Sequence, residues 1–203
     1  MHTKPRDSGG DLNPFREPPW EAPLDIEREL ESIPPSAQIR GMFLIPLVQE
    51  TRRAHVGTMP KVRDRYVPFQ FYPLREHARL LVETCIQVYP KLSLRQALRK
   101  LGRGAPSAFV ASTLGRVVMH PNMSIFEITS GLARGYELSL KPGTAFVEQV
   151  NDNALDVTLI DIHYFIDTHH VGAFEGAMSF GGKKGRVRIQ RVSAAQAVLR
   201  LEW

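Results

Sequence analysis

Asp161, His163, Asp167, His169 and His170 crowd five metal-ligating or acid–base side chains into one short stretch. Imidazoles and carboxylates together make up many zinc-type centres, and Asp161 and His163 share one face if the preceding strand runs as far as them. A metal-dependent enzyme with His163, Asp167, His169 and His170 as its ligands is one reading. In the other, Asp167 caps a helix, His169 and His170 stand exposed in its first turn, and no cofactor is involved. The spacing matches no defined metal motif, which favours the second.

Other chemistry finds less support. Gly176 to Lys184 has the flavour of a phosphate loop, but Ala177 stands where glycine is needed, Lys184 where Ser or Thr is needed, and the loop follows a helix instead of preceding one. There is no Gly-x-Ser-x-Gly elbow, no His-Glu-x-x-His and no dinucleotide fingerprint. Cys85 falls on the stripe Leu74, Ala78, Leu81, Cys85, Val88, the spacing of a packed core thiol and not of a nucleophile. Two basic groups remain: Arg95, Arg99, Lys100 and Arg103, and Lys183, Lys184, Arg186, Arg188 and Arg191. No aromatics are interleaved with them, so a solvated face or an acidic protein partner is expected, and nucleic acid is not.

The elements that must position these residues come in two blocks. From Tyr72 to Tyr136 the punctuation marks four helices: Pro73 opens the first and Pro90 ends it, and Ser93 with Gln96 caps a second that stops at Gly102. Ser107 caps a third that buries Val110, Leu114, Val117 and Val118, and Ser124 with Glu127 caps a fourth that turns Ile125, Ile128, Leu132 and Tyr136 inward. After Thr144 the period changes. Phe146–Val150 and Leu155–Leu159 form a hairpin about Asn151-Asp152-Asn153, a helix runs from Asp167 or Thr168 to Gly181-Gly182, and Arg186–Gln190 with Ala197–Trp203 forms a second hairpin. The fold class is α+β: an N-terminal helical layer packed on a C-terminal antiparallel sheet of about four strands, with a helix between the hairpins. Gln38–Val48 is a buried strand or the opening of a helix.

Composition sets the remaining bounds. The chain has 203 residues, 43% of them hydrophobic, enough for one domain with a substantial core. Residues 1–37 hold seven of the fifteen prolines and carry about −4, against about +9 for residues 38–203. Positions 1–37 therefore read as a disordered acidic tail with weak contacts to the basic body, and 38–203 as a single domain. No apolar run reaches the roughly 20 residues of a membrane span, the start lacks the apolar core of a signal peptide, and a lone cysteine suits a reducing compartment. A cytoplasmic protein is expected.

Ile39-Arg-Gly-Met-Phe43, Tyr89-Pro90, Ala97-Leu-Arg-Lys-Leu-Gly-Arg103, Ser112-Thr-Leu-Gly-Arg116 and Gly172-Ala-Phe-Glu-Gly176 resemble a family of uncharacterised domains expanded as paralogues in myxobacteria. More distantly, the order of elements and Phe174-Glu-Gly176 resemble the superfamily of haem nitric-oxide sensors and vesicle-tethering (TRAPP-type) subunits. That resemblance implies an apolar pocket between helices and sheet, for haem or a lipid chain. The sensors' Tyr-x-Ser-x-Arg element is met only by Tyr136, Ser139 and Lys141, with the spacing broken, and no histidine occupies the iron-ligating place. His77 and His120 are the remaining haem candidates, and haem is not expected. The leading expectation is a non-catalytic regulatory or sensory module that binds a small apolar ligand or a partner protein; a self-associating interaction subunit and the metal-dependent enzyme are the alternatives.

Overall fold

The computed structural model describes residues 13–54, 63, 65–119 and 122–203. Its C-terminal platform is one antiparallel sheet of β4 (Thr144–Asn151), β5 (Ala154–Ile160), β6 (Arg186–Arg191) and β7 (Ala197–Glu202), in the order β4-β5-β7-β6. Alternation divides its faces. Val147, Val157, Leu199 and Ile189 are in register across all four strands and belong to the core, while the neighbouring row, Glu148, Asp156, Arg200 and Arg188, faces away. In that outer row Arg200 forms a two-pronged pair with Asp156 (2.8 and 2.7 Å).

The helical layer is α2 (Leu44–Ala54), α3 (Leu74–Val88), α4 (Leu94–Ala111), α5 (Thr113–Val118) and α6 (Ile125–Ser139), and α7 (His169–Phe180) links the two hairpins. Both expected capping boxes form, at Ser93/Gln96 and Ser124/Glu127. The run from Gln38 supplies a strand and then a helix: β1 (Gln38–Arg40), a 3₁₀ turn (Gly41–Phe43), then α2. β1 sits between β2 (Phe71–Pro73) and β3 (Leu140–Lys141) in a second, three-stranded sheet that was not anticipated.

The second helix does not stop at Gly102, nor does Ser107 cap a third. α4 continues through Gly102 and Pro106 to Ala111, and Ser112 caps α5 by accepting from the Gly115 N–H at 3.0 Å. Val117, expected to be buried, is 80% exposed. Gly102 marks a crossing. A Cβ there would stand 2.1 Å from the His169 carbonyl oxygen, and one on Gly172 or Gly176 would stand 2.1 or 2.3 Å from the carbonyls of Arg99 or Arg103. The two backbones touch because none of these positions has a side chain, and the contact with α7 carries α4 past its weak helix formers.

Residues 13–37, part of the stretch read as an acidic tail, lie on the body. Arg16 bridges Ile189 through two backbone hydrogen bonds of 2.9 Å, and Phe15 is buried under the Arg200 guanidinium at 4.0 Å. Trp20 stacks on Arg99 at 3.7 Å, and α1 (Ile26–Glu31) with its C-terminal extension buries Leu30 and Ile33. Apolar residues spaced among prolines still bury surface when a finished sheet and helix layer receive them.

Candidate functional site

A cavity of about 80 Å³ lies among α3, α4, α6 and α7, beside Ile39 of β1 and Leu140 of β3. Its apolar walls are Ile39 and Phe43 at the start of the domain, Pro106 and Phe109 on α4, Leu132 on α6, Leu140 after it and Phe174 on α7. Its polar groups are His77 on α3, Tyr136 and Ser139 on α6, Tyr164, and His169 and His170 opening α7. A second pocket of about 380 Å³ adjoins it; Phe43, His77, Ala105, Phe109 and His169 line both. Glu50, Tyr89 and Lys100 line the second pocket, with the Lys100 ammonium 4.7 Å from the centre of the Tyr89 ring.

The segment between β5 and α7 presents the last three polar groups. It turns through left-handed backbone at Asp161 (φ 58°) and Phe165 (φ 45°), and is pinned where the Phe165 N–H donates to a Glu29 carboxylate oxygen at 3.3 Å and Ile162 N–H donates to the Ala195 carbonyl. Tyr164 then stands edge-on to His77 (5.5 Å between centroids) and to His170 (4.6 Å), and His169 and His170 lie 5.4 Å apart, nearly perpendicular. The Tyr136 hydroxyl meets His170 Nδ1 at 2.6 Å.

Burial holds all these groups uncharged. It lowers the His77 imidazole to about 3 and His169 to about 4, the latter against a hydrogen bond to the Leu98 backbone, and it moves His170 well below its ordinary value. Burial likewise pushes the Tyr136 and Tyr164 phenols upward. Three imidazole nitrogens, His77 Nδ1, His169 Nδ1 and His170 Nε2, are buried without a hydrogen-bond partner among the described residues, as is Ser139 Oγ. A buried polar atom left this way is costly unless something enters to meet it.

The five-residue constellation does not assemble as a metal site. Asp161 is exposed at its turn and His163 is half-buried on the surface side. Asp167 caps nothing: its carboxylate is buried between Arg95 Nη1 (3.1 Å) and Arg191 Nη1 (3.5 Å), and Thr168 holds the cap position with its hydroxyl donating back to the Phe165 carbonyl at 3.2 Å and not capping the helix. His169 and His170, expected in solvent, are 9% and 1% exposed. Among the described residues, no three His, Cys, Asp or Glu side chains come together as metal ligands. Of the haem candidates, His77 lines the cavity and His120 lies outside the described residues. Cys85 is buried, and burial raises its thiol to about 12, which suits a packed thiol and not a nucleophile.

The two basic groups are largely spoken for. Arg95 is a buried partner of Asp167, Arg99 and Arg103 both hold Glu175, and Arg186 and Arg188 both hold Glu202. Lys183 rests over Trp203 at 5.4 Å, and Lys184 lines an open groove beside Gly185. Tyr164 was missed in the sequence although it lies inside an apolar run, Ile162 to Ile166, that announces burial immediately before the helix. Among the described residues no helix is long and apolar enough to cross a membrane.

Residues 33–203 match the family described as Protein of unknown function (DUF2378). No curated protein matches the chain. Solved structures of similar fold include an unliganded Fe(II) H-NOX mutant from K. algicida (TM-score 0.56, 11% identity, 81% of this chain and 96% of that one). An H-NOX protein from S. oneidensis in the Fe(II)NO ligation state is similar too (0.55, 13%, 81% and 98%), as is a structure from a study of haem distortion in the H-NOX family (0.56, 12%, 80% and 92%). At these identities the likeness is one of fold.

Proposed function

We propose that this chain, which belongs to the DUF2378 family of proteins of unknown function, is a non-catalytic sensory or regulatory module whose ligand enters the cavity among its helices. The observation that carries this reading is a largely apolar space walled by α3, α4, α6 and α7, so that an occupant touches four helices at once. The H-NOX fold supports it by analogy. An occupant that prefers one packing of these helices shifts the balance between packings, which is what a sensor requires.

Two observations weigh against haem as that occupant. About 80 Å³ holds several water-sized groups and falls far short of a porphyrin, and the cavity walls carry no Lys or Arg to meet propionates. Lys141, the last of the Tyr136, Ser139, Lys141 series, instead places its ammonium 4.2 Å from the centre of the Phe71 ring.

Native mass spectrometry of the full chain, purified without added ligand, tests the reading alongside xenon-129 NMR. A retained small mass or a saturable xenon shift is expected. A clean apo mass with no xenon shift overturns it.

Self-association or a protein partner is a second reading, favoured by Phe146 and Val150, 50% and 44% exposed on the edge strand β4. Light scattering that finds only monomer at high concentration removes the self-association half.

A further inference from the structure

The cavity is apolar along most of its wall, yet His77 Nδ1, His169 Nδ1 and His170 Nε2 are buried there without partners among the described residues. His170 shows why this matters. Its Nδ1 is taken by the Tyr136 hydroxyl at 2.6 Å, and although the Tyr164 backbone lies close enough to favour the charged ring slightly, Nε2 makes no hydrogen bond of good geometry. If the phenol donates to Nδ1, Nε2 carries the proton and lacks an acceptor; if Nδ1 donates, Nε2 is a bare acceptor and lacks a donor. A hydroxyl or a primary amide satisfies either state, since each can both donate and accept.

Charge narrows the class further. No Asp, Glu, Lys or Arg is among the residues lining this cavity, and its imidazoles and phenols are all held neutral by burial. An anion entering here would lose its hydration with no cation to receive it. Size narrows it again: at about 10–15 Å³ for each water-sized group, about 80 Å³ admits a molecule of one ring or a short chain.

We infer that the cavity is a site for a small uncharged molecule with an apolar body and a hydroxyl or amide head, the head pairing with a ring nitrogen of His77, His169 or His170 that now lacks a partner. This rests on the cavity being the ligand site, as proposed above. The head faces the histidines, and the body lies against Phe109, Leu132 and Phe174.

Matched probes test it on the full chain: phenol and benzamide, toluene as the ring without a head, and benzoate as the anion. Binding is measured by calorimetry, and the histidine side-chain nitrogens are followed by long-range proton–nitrogen NMR. The expected result is phenol or benzamide binding about tenfold more tightly than toluene, the ratio one net hydrogen bond confers, with the imidazole nitrogen signals moving for the headed probes alone. Equal affinity of headed and headless probes, with unmoved imidazole signals, overturns the inference but leaves the cavity as the ligand site. Failure of every probe, toluene included, together with the absence of a xenon shift, removes the site itself. Benzoate binding more tightly than phenol overturns the uncharged class, and stoichiometric uptake of hemin with a shifted Soret band overturns the size limit. In the His170→Phe variant the preference for phenol over toluene should fall while toluene still binds; retention of the full preference in that variant, if folded, counts against the role of His170, and the wild-type ratio decides the inference if the variant does not fold.

Discussion

The Tyr136 hydroxyl lies 2.6 Å from His170 Nδ1, joining α6 to the first turn of α7 inside the core. His170 is buried and Tyr136 half-buried, so the imidazole has little solvent to turn to if the hydroxyl is lost.

Tyr136→Phe deletes the hydroxyl and leaves His170 Nδ1 unmet. The expected loss of stability is about 1–3 kcal/mol, read as a lower urea midpoint at constant slope. An unchanged midpoint would show that the contact is not made in solution.

Acid should destabilise the protein in a window that the histidines define. His77 and His169 are lowered to about 3 and about 4 in the folded chain, and His170 is lowered as well, whereas unfolded histidine titrates near 6.5. Their folded values lie below the unfolded one, so below pH 6.5 the unfolded chain takes up protons that the folded chain refuses. Stability is therefore complete above about pH 6.5 and falls as pH drops toward 4, by up to about 1.4 kcal/mol per pH unit for each histidine. Urea midpoints at pH 7.5, 6 and 5 read this directly. His77→Leu should give a shallower fall, and a flat profile between pH 7 and 5 in the wild type contradicts neutral burial.

Asp167→Ala removes the carboxylate that Arg95 and Arg191 share. Arg95 is then a buried charge without its partner, and a loss of about 3–5 kcal/mol is expected. Replacing the pair together, as Arg95→Met with Asp167→Leu, should recover most of it. If the double variant is no more stable than Asp167→Ala, the loss does not come from a stranded charge.

Alanine substitutions on α4 and α7 should have opposite signs. At Gly172 the new Cβ would stand 2.1 Å from the Arg99 carbonyl oxygen, which forces two backbones apart and costs about 1–3 kcal/mol. At Gly104 nothing lies within 4 Å, so alanine should stabilise by about 0.5–1 kcal/mol. Thermal denaturation of the two variants checks the contrast, and equal shifts would refute the close crossing.

What could be read beforehand was local. Ser93 with Gln96, Ser124 with Glu127, and the two strand pairs announce themselves within a few residues, because a cap or a hairpin is made by neighbours in the chain. Gly102 misled because its reason is α7, some seventy positions away, and glycine at a crossing looks like glycine at a helix end. His169 and His170 were placed in solvent because polar residues in a first turn usually face it. Here α7 is covered on nearly every side, and no periodicity separates a helix wrapped by protein from one with a wet face. Asp167 was misjudged for a related reason: its partners, Arg95 and Arg191, sit on separate elements that only the finished fold brings together.

The bridge between Arg16 and Ile189 occupies the outer side of β6 at its fourth residue, whereas β4 ends the sheet at its other side. Extended backbone from a second molecule can therefore be added along β4 without displacing that bridge, which would have to give way for the same addition along β6.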